Sequence, residues 1–472
     1  MAVVTTPIES INPATEEVLA RFDPFTPDRL EAAVAQAHRA FLDWRRVTFA
    51  ERARPMRALA AHLRERADAY AKLITLEMGK PIAEARAEIE KCAWGCDFYA
   101  ENAERFLGDE IAKTNAARSL VAFEPLGVVL AVMPWNFPFW QVIRFAAPAI
   151  MAGNTAVLKH ASNVPQCALA IEKAFQKTGF PDGTLRTVLA PGATIEGIVA
   201  DDRIRAVTLT GSSQTGSRIA ELAGRALKKT VLELGGSDPY IVLDDADLGA
   251  AATTAARARN QNAGQSCIAA KRFLVTRGAA AEFERRFADA IRALRVGDPL
   301  DPKTQVGPLA RADLRDALEH QVRESVRMGA RVVVGGQRVA GRGHFYEPTL
   351  LADVTEEMPV FREETFGPVA ALRVVRDADE AIRVANDSPY GLGASLWTRD
   401  VSLAEALARR IESGSVFVNG MVASDPRLPF GGVKRSGYGR ELGGAHGIRE
   451  FVNVQTIWIG PAQQPQKSTP AE

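Results

Sequence analysis

At 472 residues, with 47% hydrophobic and 24% charged side chains, the chain has the composition of an ordinary globular protein with room for two or three domains. Lys and Arg total 58 against 57 Asp and Glu, so the net charge of +1 excludes a charge-driven nucleic-acid or membrane-surface role. Apolar runs stay short of the ~18 residues that span a bilayer, and the first dozen residues lack a basic segment followed by an apolar core. Four cysteines without a paired framework point to a reducing, cytoplasmic setting and a free thiol.

Residues 7–24 read as extended segments and turns. Thr26-Pro27 is an N-cap followed by proline at the first helical position, and the helix it starts runs to about Arg45. A second long helix is expected over 50–77, broken by Gly79-Lys80-Pro81, and a third over 82–106. From 127 the texture changes to short apolar runs (127–133, 155–158, 185–189, 206–210, 230–234) alternating with helical stretches (139–152, 165–178, 194–200, 215–226). That alternation indicates a parallel sheet covered by helices, with ligands bound at the strand ends. A second α/β segment follows 236, with strands at 240–243, 272–275, 331–334, 369–375, 394–396 and 415–418. Its helices are expected over 247–261, 279–294, 309–328, 377–386 and 402–412. The apolar stretch 451–459 reads as a lone strand suited to pairing across a subunit interface, and 461–472 as a flexible polar tail.

The residues that carry chemistry cluster at expected strand ends. Cys267 lies among small neighbours in Gly264-Gln265-Ser266-Cys267, where a ligand can approach a thiol closely. Glu233 ends an apolar strand before Leu234-Gly235-Gly236; partial burial would raise its pKa and suit it to general-base work, and the two glycines would let its side chain move. Asn136, between Trp135 and Phe137-Pro138, is either a turn residue or an oxyanion donor. Gly211-Ser212 through Gly216 opens a helix after a strand, and reads either as an ordinary turn or as a phosphate site. It lacks the lysine of a nucleotide-hydrolysing loop. Lys159, in Leu158-Lys159-His160-Ala161-Ser162, is either a solvated charge or a donor to ribose or phosphate. The six histidines lack ligand spacing, so no metal site is expected.

Together Pro134-Trp135-Asn136-Phe137-Pro138, Gly211-Ser212 to Gly216, Glu233-Leu234-Gly235-Gly236, Gly264-Gln265-Ser266-Cys267, Glu363-Glu364-Thr365-Phe366-Gly367-Pro368, Pro429-Phe430-Gly431-Gly432 and Lys434-Arg435-Ser436-Gly437 resemble the NAD(P)-dependent aldehyde dehydrogenase superfamily, in the family's order and along nearly the whole chain. The resemblance implies an α/β fold with two Rossmann-like domains and a small β oligomerisation arm. The cofactor-binding domain would comprise 1–106 and 126–235, the catalytic domain 236–449, and the arm 107–125 with 450–460. It implies Cys267 as nucleophile, Asn136 and the Cys267 N–H as oxyanion hole, and Glu233 as the base that activates water and can deprotonate the thiol. Cofactor contacts would come from Trp135, Lys159, Ser162, Gly211, Ser212, Gly216, Leu234, Glu364 and Phe366. A homodimer or homotetramer is implied. A non-catalytic dinucleotide-binding protein would lack the nucleophile, base or oxyanion Asn, and a CoA-acylating enzyme generally lacks the base.

Three residues after Lys159, many NAD-preferring members carry Glu; here Ser162 removes that repulsion while Lys159 and His160 stay close, so NADP is expected to be preferred over NAD. The stretches 159–167 and 269–273 are similar to a bacterial subgroup acting on succinate semialdehyde. Arg144 falls where that subgroup binds the substrate carboxylate, and Ser424 is a second contact. Two positions depart from the pattern. Gln261 stands where some members have a second Arg, which keeps glutarate semialdehyde or an aliphatic aldehyde open as substrates. Ala269 stands where some have a second Cys, which leaves Cys267 an exposed thiol without a disulfide partner.

Overall fold

The computed structural model describes residues 6–461, so the expected tail, Pro461 apart, lies outside the described residues. Two short antiparallel strands, β1 (Ile8–Ile11) and β2 (Val18–Phe22), precede α1 (Pro27–Trp44), whose cap Thr26 accepts the Arg29 N–H at 3.3 Å. The helix expected over 50–77 is two. In α2 (Phe49–Glu65) Thr48 and Glu51 form a capping box; α3 (Ala67–Met78) begins after Arg66. Arg66 sits at φ −103°, ψ 13°, and no Gly or Pro marks that break in the sequence. Gly79 ends α3 at φ +81°, where a Cβ would come within 2.7 Å of Pro308. The 26-residue α4 (Ile82–Leu107) follows.

After β3 (Glu110–Ile111) and β4 (Arg118–Pro125) come β5 (Val128–Met133), α5 (Trp140–Met151), β6 (Thr155–His160), α6 (Pro165–Lys177), β7 (Leu185–Thr187), α7 (Ile195–Ala200), β8 (Ile204–Thr210), α8 (Ser213–Arg225) and β9 (Lys229–Glu233). These five strands from β5 onward are parallel, in the order β7-β6-β5-β8-β9. The strand is buried on both faces: Val128, Leu130 and Val132 pack with α1, α7 and α8, while Val129, Ala131 and Met133 pack with α2 to α6. The chain leaves β5 towards β6 on one side and returns to β8 on the other, which makes the β5/β8 carboxyl ends the topological switch point.

The second sheet starts with β10 (Asp238–Val242), α9 (Leu248–Asn260), β11 (Ala270–Thr276), α10 (Arg277–Arg292) and α11 (Ala312–Arg327). It continues through β12 (Arg331–Val334), β13 (Thr349–Ala352), α12 (Pro359–Arg362), β14 (Val369–Val375) and α13 (Ala378–Asn386) to β15 (Tyr390–Gly391), β16 (Gly393–Trp397), α14 (Val401–Ala408) and β17 (Ser415–Val418). Seven strands form it, in the order β12-β13-β14-β11-β10-β16-β17, antiparallel only at β12–β13. The unexpected member is β13: four wholly buried residues, Thr-Leu-Leu-Ala, are too few to show a period.

Two pairings correct the sequence reading. After β18 (Val433–Lys434), the short β19 (Gly437–Tyr438), placed by sequence with the catalytic half, adds an antiparallel edge to the first sheet, Gly437 opposite Glu233. The terminal strand β20 (Val452–Ile459) pairs within its own chain, antiparallel to β4 from Val452–Pro125 to Ile459–Arg118, rather than waiting for another subunit. With β3 these make a three-stranded arm, β20-β4-β3.

Candidate active site

The switch-point strands deliver Trp135 and Asn136 from β5 and Thr210, Gly211 and Ser212 from β8 into one cleft of about 300 Å³. Leu234, Gly235, Glu364, Phe366 and Cys267 complete its walls. Trp135 and Phe366 meet edge to face, ring centres 5.7 Å apart. Glu364 accepts the Gly236 N–H at 2.9 Å. Lys159, at the end of β6, makes no hydrogen bond or ion pair among the described residues, and burial lowers its pKa. Ser162 is exposed. The cleft therefore joins an aromatic slot and a helix N-terminus, a set that fits a dinucleotide with its phosphates, and Lys159 lies near the carboxyl end of the neighbouring strand β6.

Four details add to the sequence reading. The Ser212 hydroxyl caps its own helix, accepting the Thr215 N–H at 3.2 Å. Gly216 serves helix–strand packing, since a Cβ there would stand 2.4 Å from Leu234. Gly235 and Gly236 provide close approach rather than mobility: their Cβ positions fall 2.5 Å from Glu364 and 2.6 Å from the Cys267 carbonyl. His160 turns inward to the Pro138 carbonyl at 2.9 Å, and burial pushes its pKa down to about 4, so it offers no charge to a phosphate.

Cys267 also lines a second cavity, of about 140 Å³, with Arg144, Ser424, Lys91, Trp140, Gln261 and Phe430 among its walls. The loop leading to the thiol is left-handed at three successive residues, Asn262 (φ 54°), Ala263 (φ 52°) and Gly264 (φ 73°). For a non-glycine residue this costs roughly 1–2 kcal/mol, so the surroundings must hold it. Asn262 donates to the carbonyls of Asn136 (2.8 Å) and Gln265 (3.1 Å), Glu84 accepts the Asn262 N–H (2.7 Å), and Arg259 donates to the Gly264 carbonyl (2.6 Å). The buried Lys271 ammonium gathers the carbonyls of Ser266, Cys267 and Ala269 at 2.9–3.1 Å. The Cys267 N–H donates to no acceptor among the described residues. Asn136 is aimed at the same loop, its Nδ2 3.1 Å from the Gln265 carbonyl. Its turn is anchored from the helical layer: Glu88, ion-paired with the buried Lys80, accepts the N–H groups of Phe139 (2.9 Å) and Trp140 (3.0 Å).

The thiol is only partly exposed, which corrects the expectation of an open nucleophile. Burial pushes it up to about 12, with Arg144 and Lys271 pulling the other way. Glu233 is buried, neither carboxyl oxygen has a hydrogen-bond partner among the described residues, and desolvation raises its pKa well above the usual carboxylate range against the pull of Arg144. Its side chain rests against Gly431. Arg144, the expected carboxylate partner, lines the second cavity and is itself buried, ion-paired with Glu441, bonded to Thr210 at 3.2 Å and stacked over Phe430 at 4.6 Å.

The profile of the aldehyde dehydrogenase family matches residues 2–457. The chain belongs to the aldehyde dehydrogenase family. It is an NAD(P)-dependent aldehyde dehydrogenase, with that family's two Rossmann-like α/β units. A probable NADP-dependent succinate-semialdehyde dehydrogenase of Synechocystis sp. is 53% identical over 452 residues, covering 96% of this chain and 99% of that protein. The Mycobacterium tuberculosis NADP-dependent succinate-semialdehyde dehydrogenase 1 is 51% identical over 456 residues, covering 96% and 100%. Among solved structures, succinic semialdehyde dehydrogenase from Streptococcus pyogenes, in complex with NADP+, superposes with a TM-score of 0.94 at 39% identity, covering 96% of this chain and 100% of that one.

Several residues of this aldehyde dehydrogenase site escaped the sequence reading. Glu441, Lys271 and Glu84 hold Arg144, the thiol loop and Asn262 respectively. Lys91 enters the second cavity from α4. A signal existed for the helix residues: Glu84, Glu88 and Lys91 recur at i, i+4 and i+7, a charged stripe on a helix that must bury one side.

Proposed function

We propose that the chain oxidises succinate semialdehyde to succinate with NADP, through a thiohemiacetal and then a thioester on Cys267. The observation that carries this reading is that Cys267 is common to both cavities, one with a dinucleotide-like wall and one holding cations. Cys267 attacks the aldehyde carbon as the thiolate, which Arg144 and Lys271 favour over the neutral thiol. The uncommitted Cys267 N–H and the Asn136 amide receive the developing oxyanion. A bound nicotinamide dinucleotide supplies the hydride acceptor. Glu233, once turned from Gly431 towards the thioester, takes a proton from water; the hydroxide adds, the C–S bond breaks, and carboxylate and thiol are released. The raised affinity of Glu233 for protons suits that role.

Lys159, without a partner among the described residues and three positions before the exposed Ser162, favours the extra phosphate of NADP. Trp135, Gly211, Ser212, Leu234, Glu364 and Phe366 would hold the rest of the dinucleotide, with Gly216 shaping the helix behind it. The chain would divide into a cofactor part (1–106, 126–235), a catalytic part (236–449, lending β19 to the first sheet) and an arm (107–125, 450–460). The free edge of β20 and the exposed Val454, Ile457, Trp458 and Ile459 support a homodimer or homotetramer. Four free thiols fit the cytoplasm, and no helix among the described residues is long and apolar enough to cross a membrane. The test is steady-state kcat/KM for succinate semialdehyde and propanal, each with NADP and NAD. Succinate semialdehyde with NADP should lead by at least about ten-fold, the worth of one charge-assisted contact. Equal values for propanal, or a higher value with NAD, would overturn the reading.

A further inference from the structure

The substrate-side cavity contains more charge than it needs for chemistry, and most of it is already cancelled. Glu88 is neutralised by Lys80 and two backbone N–H groups. Asp425, just beyond Ser424, is held by Arg427 at 2.6 Å. Arg144 is matched by Glu441. Glu84 spends one oxygen on the Asn262 N–H, and burial pushes its carboxyl up to about 7. Lys91 is different. It makes no ion pair among the described residues; its ammonium lies 4.7 Å from the Trp140 ring centre and donates to the Ser424 hydroxyl at 2.7 Å.

Ser424 extends the pattern. Its oxygen accepts from Lys91 and also from the Trp140 indole N–H at 3.1 Å. With both lone pairs used, the hydroxyl proton is left to donate. An ammonium without an ion pair among the described residues and a hydroxyl with its proton left to donate, both on the wall shared with Cys267, suit an anion. We propose that Lys91, with Ser424 as its hydrogen-bonding partner, is a residue that selects aldehydes carrying a carboxylate, adding an unpaired charge to the wall that Arg144 also lines. Burial, and next the charge of Arg144, lower the Lys91 pKa to about 8, a strain that a bound carboxylate relieves. The inference rests on the substrate class proposed above and names a residue that enforces it.

The test is K91M, which keeps the stem over Trp140 and removes the charge, with K91Q as a second variant and K91R as the conservative one. The readouts are the ratio of kcat/KM for succinate semialdehyde to that for propanal, and the inhibition constant of succinate against propanal. Removing a charged hydrogen-bonding partner should lower the ratio by about ten- to a hundred-fold, chiefly through KM, with the succinate constant rising alongside. K91R should recover much of both. Thermal unfolding checks that the variants fold. If both aldehydes fall together, or the ratio and the succinate constant stay within about three-fold in K91M and K91Q, the assignment is overturned. If the wild-type enzyme itself does not discriminate, the substrate reading fails on its own, and Lys91 is then judged on the succinate constant alone.

Discussion

The two cavities that meet at Cys267 are built on different plans. The cofactor-side cleft takes much of its wall from the ends of neighbouring parallel strands, as the short contiguous runs 134–136, 210–212 and 234–235, with Cys267, Glu364 and Phe366 added from loops. The other cavity is assembled from side chains on α4 and α5 and from the loops 266–268 and 422–424; Lys91 and Ser424, which touch, are 333 positions apart. Sheet geometry fixes the first, while helix packing and cancelled charges fix the second. Substitution in the second can therefore change which aldehyde enters without disturbing hydride transfer.

That contrast can be broken or sharpened by experiment. Short of removing the thiol, the largest effect is expected at Glu233, which is proposed to serve the chemistry common to all substrates. E233Q should lower kcat by roughly 10²–10³-fold for every aldehyde while a first-turnover burst of reduced cofactor survives. Absence of the burst would place Glu233 before hydride transfer instead of after it. A smaller effect belongs to the cofactor side. S162E puts a carboxylate three positions after Lys159, which has no partner among the described residues, and should reduce kcat/KM with NADP by roughly ten- to thirty-fold, leaving NAD within about three-fold. Equal losses with both cofactors would remove Ser162 from phosphate recognition. A third test concerns the thiol itself and involves no substitution. With Cys267 pushed up to about 12, its thiolate fraction grows about ten-fold per pH unit below that value, so alkylation by iodoacetamide in the free enzyme should climb steadily from pH 7 to 10. A plateau below pH 9 would show that the thiol is more acidic than its burial implies.

The same division explains what was legible beforehand. The strand–helix alternation after 127 was readable because β5, β6 and β8 are short buried runs separated by helix-length segments. Motifs at their ends were readable because strand-end chemistry is local in sequence. The break at Arg66 carried no Gly or Pro, β13 was too short for periodicity, and the pairing of β20 with β4 depends on contacts more than 300 residues apart. At the site, Cys267, Asn136 and Glu233 stood out by context, but the cancellation of Arg144 by Glu441 and the lone ammonium of Lys91 exist only after packing. Even the glycines beside Glu233 changed meaning, from mobility to close approach.

The central claim is that one sulfur atom serves both cavities, and the C267A variant tests it most directly. Oxidation of succinate semialdehyde by C267A with NADP should fall by about 10⁴-fold or more while NADP binding persists. Turnover by C267A within ten-fold of the wild-type rate would contradict it.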